Sequence, residues 1–487
     1  MLLNASSKYK FQMQIPTDRN LLKKFLAQSR VAVLGLGKSG TAAAMLLQNL
    51  GSKIFLSDQS DISTLPDISP SQFLGCEWNG HSEKILQQDL IILSPGIRCD
   101  LEILQKAREK NIPIWGELEL AYRLLDCKKI TAVTGTNGKT TTVSWLADMS
   151  LRDGKKTMVG GNIGQALSHL VLTQILTQEK YDIAVLEISS YQLETIQLFR
   201  ADVAAILNLT DDHLQRHRTM ENYAETKKRI FLNQTKSDRA ILNADDARCN
   251  AMRQEIISDS VLFSTTKILD YGVFYDRDNK KIIARLQEKQ EKKEKMVFDL
   301  PAHLPGMHNI ANACAAVACA IPLGLNSSAI AQSLQHFKGV EHRIETVKTV
   351  HGITYINDSK ATNVDSTLQA ILALEKPLWL ILGGQDKGAS YEPIRNLIAK
   401  RSSTNAPIKG LLLIGEATPI IESALKSSCK IYDCKTLKTA LDQAKNLAKE
   451  GDIVLLSPAC ASFDQYQNFE QRGKDFKNCV AEIALQK

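Results

Sequence analysis

From Val31 onward, short β-branched and aliphatic runs alternate with longer Ala- and Leu-rich stretches at helical spacing. A parallel strand covered on both faces reads as a continuous apolar run, and its crossover to the next parallel strand calls for a helix. The fold class expected is therefore α/β. A chain of 487 residues exceeds what one core organises; at roughly 150 residues per domain it should hold about two to four. Charged joining regions at Arg123–Lys129 and Lys338–Arg343 place the boundaries near residues 117 and 340, giving blocks 1–117, 118–339 and 340–487. Residues before about Ser29 and the charged stretch Asp276–Lys295, read as a projecting hairpin or helix, are expected to be peripheral.

The first block carries Val31-Ala-Val-Leu-Gly35-Leu-Gly37-Lys-Ser-Gly40, a strand running into Gly-x-Gly-x-x-Gly and a helix, with Ile54-Phe-Leu-Ser-Asp58 as the next strand and its terminal acid. Glycines at 35 and 37 would let backbone approach a pyrophosphate, the helix N-terminus favours the anion, and Asp58 can accept from ribose hydroxyls. Taken alone, this pattern favours an NAD-dependent dehydrogenase over a structural turn. No hydride-transfer site follows, however, and Ser94-Pro95-Gly96 after the strand Leu90–Leu93 adds a second anion-friendly turn. A UDP-linked substrate would satisfy the same chemistry.

The second block opens on Lys129-Ile-Thr-Ala-Val-Thr-Gly135-Thr-Asn-Gly138-Lys139-Thr140-Thr-Thr. The stretch Gly135, Thr136, Asn137, Gly138, Lys139, Thr140 and Thr141 reads as a phosphate loop. Backbone N–H groups would wrap phosphate, Lys139 would reach the β/γ oxygens and the Thr140 hydroxyl would ligate Mg²⁺ or Mn²⁺. Only two residues separate the glycines, so the spacing departs from Gly-x-x-x-x-Gly-Lys-[Ser/Thr]. ATP is the implied ligand. Downstream, the strand Tyr181–Glu187 ends in a carboxylate suited to a hard cation, and Val203–His213 repeats the design with a histidine. A lone strand-end histidine is more often structural, and Lys227 reads from spacing alone as an ordinary surface lysine.

Ten cysteines stand singly with no CxxC pair, which argues against zinc sites and a disulfide framework. Net charge +7 is modest for this length, and the densest cluster mixes both signs, so no nucleic-acid footprint is read. No run approaches the ~18 apolar residues of a membrane span, and no export signal is read, so a cytoplasmic monomer is expected.

Thr134–Thr141, Leu186–Glu194, Thr210–His213, Gly306–Ala313, Glu341–Arg343, Asn357–Asn363 and Gly383–Gly388 together resemble the Mur ligase family, across all three blocks. The ending Ser457-Pro-Ala-Cys-Ala-Ser462-Phe-Asp-Gln-Tyr-Gln-Asn-Phe469-Glu-Gln-Arg-Gly is similar to that of its D-glutamate-adding branch. The resemblance implies an N-terminal Rossmann-like domain for a UDP-sugar, a central P-loop ATPase domain with a parallel-rich sheet, and a C-terminal Rossmann-like domain that brings the amino acid. It implies ATP-dependent addition of D-glutamate to UDP-N-acetylmuramoyl-L-alanine through an acyl-phosphate, as a step of peptidoglycan synthesis. Further ATP contacts fall on Asn309, Asn312, Arg343 and Asp358, and metal contacts on Thr140, Glu187, His213 and Lys227, the last as a carbamate. UDP-sugar contacts fall on Asp58, Ser94, Gly96, Asn162, Ser189 and His213, and D-glutamate contacts on Thr362, Lys387, Ser462 and Phe469. Lys139 and Lys360 would spread charge in phosphoryl transfer, and His213 is a candidate base for the attacking amine. Gln59-Ser60 after Asp58, and Phe463 beside Ser462, depart from the family pattern. Competing readings are a relative adding L-alanine or diaminopimelate/lysine, a folylpolyglutamate synthetase, the dehydrogenase, or a non-enzymatic nucleotide-binding regulator.

Overall fold

The computed structural model describes residues 15–61, 73–286, 295–301, 304, 306–426 and 428–485. Their strands form three sheets. The first holds β1 (Arg30–Leu34), β2 (Lys53–Ser57), β3 (Gly75–Glu77), β4 (Leu90–Leu93) and β5 (Ile114–Gly116), in the order β3-β2-β1-β4-β5, every pair parallel. Chain order reverses between β1 and β4, so the turns leaving these strands open the crevice where ligands of such sheets bind. The third glycine of the turn explains the close packing there: a Cβ on Gly40 would stand 1.7 Å from the Gly35 carbonyl oxygen, so only glycine lets the helix Lys38–Asn49 start against the strand end.

The second sheet holds β6 (Cys127–Thr134), β7 (Thr157–Gly161), β8 (Tyr181–Glu187), β9 (Val203–Ile206), β10 (Arg239–Asn243), β11 (Asp259–Ser264), β12 (Gly272–Asp276), β13 (Lys281–Arg285) and β14 (Lys295–Asp299). Its order is β14-β13-β12-β11-β10-β9-β6-β8-β7, parallel from β7 to β12 and antiparallel at the two edge pairings. The charged stretch is thus an edge meander over its described part, and residues 287–294 of it lie outside the described residues.

The third sheet holds β15 (Glu345–Val350), β16 (Ile353–Asn357), β17 (Leu378–Gly383), β18 (Ile408–Ile414), β19 (Lys430–Lys435) and β20 (Ile453–Leu456), ordered β15-β16-β20-β17-β18-β19 with only β15 antiparallel. Alternate residues of its strands feed two separate cores: Leu380 and Leu382 join one, Trp379 and Ile381 the other. Helices therefore cover both faces, as the continuous apolar runs require. The α/β class is the one expected. Among the described residues no helix is long and apolar enough to cross a membrane, and all ten cysteines are free thiols.

One expectation fails. The segment ahead of Ser29 is not peripheral over its described part: Arg19–Gln28 is a helix capped by Asp18, and Leu22 and Leu26, one turn apart, are fully buried in the core of the first two sheets. A single i, i+4 apolar pair among lysines is too sparse to stand out in the sequence, yet suffices to dock three turns of helix.

The chain divides into two compact units, Met1–Asp299 with Asn312–Leu334, and Leu300–Ala311 with Gln335–Lys487. The first unit includes two sheets, and the helix Glu117–Leu124 shows what joins them. Glu119, fully buried, accepts from the N–H groups of Gln197, Leu198 and Phe199 at 2.9–3.1 Å and from Arg123 Nε at 2.7 Å. Arg123 in turn lies 4.0 Å over the Trp115 ring. Glu117, also buried, accepts from the Ser168 N–H at 2.6 Å. Replacing Glu119 with leucine strands three N–H groups and a nearly buried guanidinium, and should cost about 3–5 kcal/mol; urea denaturation followed by tryptophan fluorescence measures it.

Candidate active site

The phosphate loop lies between β6 and the helix Lys139–Arg152. Gly138 caps that helix in the left-handed region, φ +86°, and a Cβ there would come 2.2 Å from Asn312 Oδ1, so neither conformation nor space admits a side chain. The loop is braced from the end of β9. Thr136 N–H donates to the Asn208 carbonyl at 3.0 Å, the Thr136 hydroxyl to the Thr210 carbonyl at 3.1 Å, and the Asn208 carboxamide bonds both the N–H and the carbonyl of Asn137 at 2.8 and 3.1 Å. Lys139 Nζ donates to the carbonyls of Gly135 and Thr136 at 2.9 and 2.7 Å. Thr141 is buried, and its hydroxyl makes no hydrogen bond among the described residues.

On the other side of β6, β8 delivers Glu187 opposite Val133. Its carboxylate, 2% exposed, accepts from the Thr140 hydroxyl at 2.7 Å and from Asn162 Nδ2 at 2.8 Å. Two hard oxygen donors thus meet at the first turn of the phosphate-loop helix, the donor chemistry that Mg²⁺ takes, so the residues present fit the ion. Ser189 closes a capping box with Gln192 and starts the short helix Ser190–Leu193. His213, in the left-handed region at φ 54°, meets the Tyr191 hydroxyl through Nδ1 at 3.0 Å and lies 3.5 Å from Asp212.

Lys227 overturns the surface-lysine reading. It is 1% exposed, donates to the Gly135 carbonyl at 2.9 Å and the Thr134 hydroxyl at 3.2 Å, and sits 4.8 Å over the Tyr223 ring. Its neighbour Lys228 points outward to Glu225 and Glu255. Burial lowers the Lys227 pKa well below its ordinary value and the Lys139 charge lowers it further, against the weaker pull of Asp212 and Glu187. Lys139, Glu187, Asp212 and Lys227 are therefore one electrostatic cluster.

In the first sheet Asp58 braces the glycine turn, accepting from the N–H groups of Leu36 and Ser60. Ser94 N–H bonds the Leu34 carbonyl at 2.9 Å, which sets the Ser94–Gly96 turn beside the Gly35–Gly37 turn at the end of β1.

In the second unit Asp358 follows β16, fully enclosed, and accepts from the Ser457 hydroxyl at 2.8 Å and the Ile344 N–H at 3.2 Å. Burial pushes its carboxyl up to about 7, against the opposing pull of Arg343. Asn309 is buried in this unit, while Asn312, three residues along the same helix, belongs to the first. Lys360 Nζ lies 5.1 Å over the Phe469 ring, and Lys387 Nζ donates to the Thr362 hydroxyl at 3.4 Å. Ser462 is buried nearby in sequence. The buried Arg472 staples these strand-end segments, donating to the Ser359 hydroxyl and carbonyl at 3.0 and 2.9 Å and to the carbonyls of Cys460 and Ala461 at 3.2 and 3.3 Å. Glu341, His342 and Glu345 also converge, but Lys477 bridges the two carboxylates at 2.8 Å each, so the trio reads as an ion pair.

Asn208, Tyr191, Asp212 and Arg472 were not singled out from the sequence. Asn208 and Asp212 stand inside the polar ending of the β9 run and Arg472 inside the C-terminal motif; only their partners, distant in sequence, reveal what they do.

A glycine phosphate loop at the end of a parallel strand, with a strand-end carboxylate against its threonine, defines a nucleoside-triphosphate-binding α/β protein. The Mur ligase middle domain matches residues 133–320, the Mur ligase glutamate ligase domain 342–460, and the Mur ligase MurD-like N-terminal domain 29–116. The UDP-N-acetylmuramoylalanine–D-glutamate ligase of Koribacter versatilis is 42% identical over 461 residues, covering 94% of this chain and 98% of that protein. That of Alkaliphilus oremlandii is 38% identical over 466 residues, covering 94% and 99%. The solved structure of a pseudomurein peptide ligase type C from Methanothermus fervidus shares the fold, with TM-score 0.57 at 18% identity over 94% of this chain and 100% of that one. The chain belongs to the Mur ligase family.

Asp358 also makes stability pH-dependent. The folded state keeps a proton that the unfolded chain releases at ordinary carboxylate pH, so the stability present in acid is lost as pH climbs through about 7. Asp358→Asn removes that dependence. The difference in unfolding free energy, variant minus wild type, should rise between acid and pH about 8; parallel denaturant titrations at several pH values measure it.

Proposed function

We propose that the chain is an ATP-dependent ligase that adds D-glutamate to UDP-N-acetylmuramoyl-L-alanine in peptidoglycan precursor synthesis. A carboxylate does not acylate an amine at neutral pH without activation, so ATP first gives its γ-phosphoryl group to the alanine carboxyl, forming an acyl-phosphate and ADP. The D-glutamate amine attacks the acyl carbon, phosphate leaves, and the amine's proton passes to a base, for which His213 is the candidate. The observation that carries the reading is the Thr140–Glu187 contact beside Lys139 in a chain 42% identical, nearly end to end, to a D-glutamate-adding ligase.

Within this reading residues 1–117 hold the UDP-sugar, 118–339 the ATP and 340–487 the amino acid, in keeping with the three matched domain signatures. The loop Gly135–Thr141 and Lys139 bind the phosphates, with Asn309, Asn312, Arg343 and Asp358 as further nucleotide contacts. Gly35, Gly37, Asp58, Ser94, Gly96, Asn162, Ser189 and His213 take the UDP-sugar. Thr362, Lys387, Ser462 and Phe469 take D-glutamate, with Lys360 beside the transferred charge. Thr140, Glu187, His213 and Lys227 as its carbamate would hold Mg²⁺, which supplies charge neutralisation for phosphoryl transfer. Small-molecule substrates, a cytoplasmic location and a monomer complete the reading.

Burial supports the Lys227 assignment. Burial disfavours the charged form of this amine, so the neutral, nucleophilic form is more accessible here than in a solvent-exposed lysine. Its lone pair adds to the carbon of CO₂ and one proton is lost, leaving an anionic carbamate whose oxygens suit a hard cation. Arginine keeps the charge but cannot form that carbamate. Lys227→Arg should lose about 10²- to 10³-fold in turnover, and the wild type, not the variant, should give a carbamate NMR resonance with isotopically labelled bicarbonate. Turnover in the variant within about twofold of wild type would end the carbamate assignment.

The test of the whole is ADP release with UDP-N-acetylmuramoyl-L-alanine against a panel of amino acids. D-glutamate should be strongly preferred; preference for L-alanine, diaminopimelate or lysine would sink the reading in favour of another branch of the family.

A further inference from the structure

Arg216 stands at a junction that none of these roles uses. It lies three residues beyond His213, in the short helix Leu214–His217. Toward one side its guanidinium grips both carboxylate oxygens of Glu194, at 3.0 and 2.6 Å. Toward the other it donates to the carbonyl oxygens of Gly96 and Ile97, at 3.3 and 2.8 Å. Its plane also lies 5.1 Å from the Tyr191 ring, the ring whose hydroxyl meets His213. One side chain thus bonds the turn after β4, the segment after the Glu187 strand and, through Tyr191, the His213 imidazole.

We propose that Arg216 is a positioning residue that holds the sugar-nucleotide turn Ser94–Ile97 in register with the His213 turn, so that a nucleotide-linked carboxyl held by the first is presented at the second. The inference rests on the ligase reading. The carbonyls of Gly96 and Ile97, once tied back to Arg216, fix the orientation of the peptide groups on this turn, and hence of the backbone N–H groups available to a diphosphate. Only a planar fork can serve a bidentate carboxylate and two divergent carbonyls together; a lysine keeps the charge but is a point donor. Arg216 has no bond to the phosphate loop, which Asn208 and Thr210 hold independently.

The test is calorimetric binding of UDP-N-acetylmuramoyl-L-alanine and, separately, of ATP to wild type, Arg216→Lys and Glu194→Gln, with steady-state kinetics and melting temperature on the same preparations. Expected in both variants are a Kd for the UDP-linked substrate raised about tenfold or more, a Kd for ATP within about twofold of wild type, and an unchanged melting temperature. Lower kcat at saturation should accompany it, because a substrate carboxyl displaced by about 1 Å reacts up to 10²-fold more slowly. Unchanged affinity for the UDP-linked substrate overturns the positioning role while leaving the ligase reading intact. So does equal weakening for both ligands, or a fall in melting temperature in both variants, since either marks a bond that merely supports the fold. A wild type that turns over none of these substrates would overturn the ligase reading itself.

Discussion

The phosphate loop takes its shape from its neighbours in the sheet. Parallel pairing sets β6 between β8 and β9, so the residues leaving all three strands emerge at one edge. From β9 come Asn208 and Thr210, which take up the polar groups of Thr136 and Asn137; from β8 comes Glu187, which engages Thr140. A glycine-rich turn has high conformational freedom, and bonds at both flanks are what hold it in one arrangement before any ligand arrives. Within the first unit, Lys227 reaches the same edge.

Electrostatics follow from the same placement. Lys227 reaches the loop from a helix more than eighty residues downstream and bonds the Gly135 carbonyl that Lys139 also bonds. Two ammonium groups on one carbonyl oxygen, one of them enclosed by protein, are costly to keep charged together, and the buried one has its pKa lowered. The site thereby eases deprotonation of an amine set among acids and a cation, the direction in which lysine becomes chemically reactive.

Rigidity within each unit is built from buried charge. Glu119 with Arg123 joins the two sheets of the first unit, and Arg472 gathers four strand-end oxygens in the second. Such groups are costly to enclose and costlier to orphan, so removing one partner is strongly destabilising. Arg472 thereby ties Ser359, Cys460 and Ala461, which adjoin in sequence the segments carrying Thr362 and Ser462.

The alternation of apolar runs and helical stretches determined the α/β class, because period and length of hydrophobic segments are local properties. The glycine turns and the acid closing the β8 run were legible for the same reason, and the phosphate and cation roles proposed for Gly138, Lys139, Thr140 and Glu187 start from these local signals. The docking of Leu22 and Leu26, the burial of Lys227, the clamp from Asn208 and the fork of Arg216 were decided only by tertiary structure. In each case the deciding partner is far along the chain, and the sequence around Lys227 is indistinguishable from that around Lys228, which is only partly buried. Local pattern reports what a residue could do; the strand order of the sheet settles which side chains are removed from water and which meet.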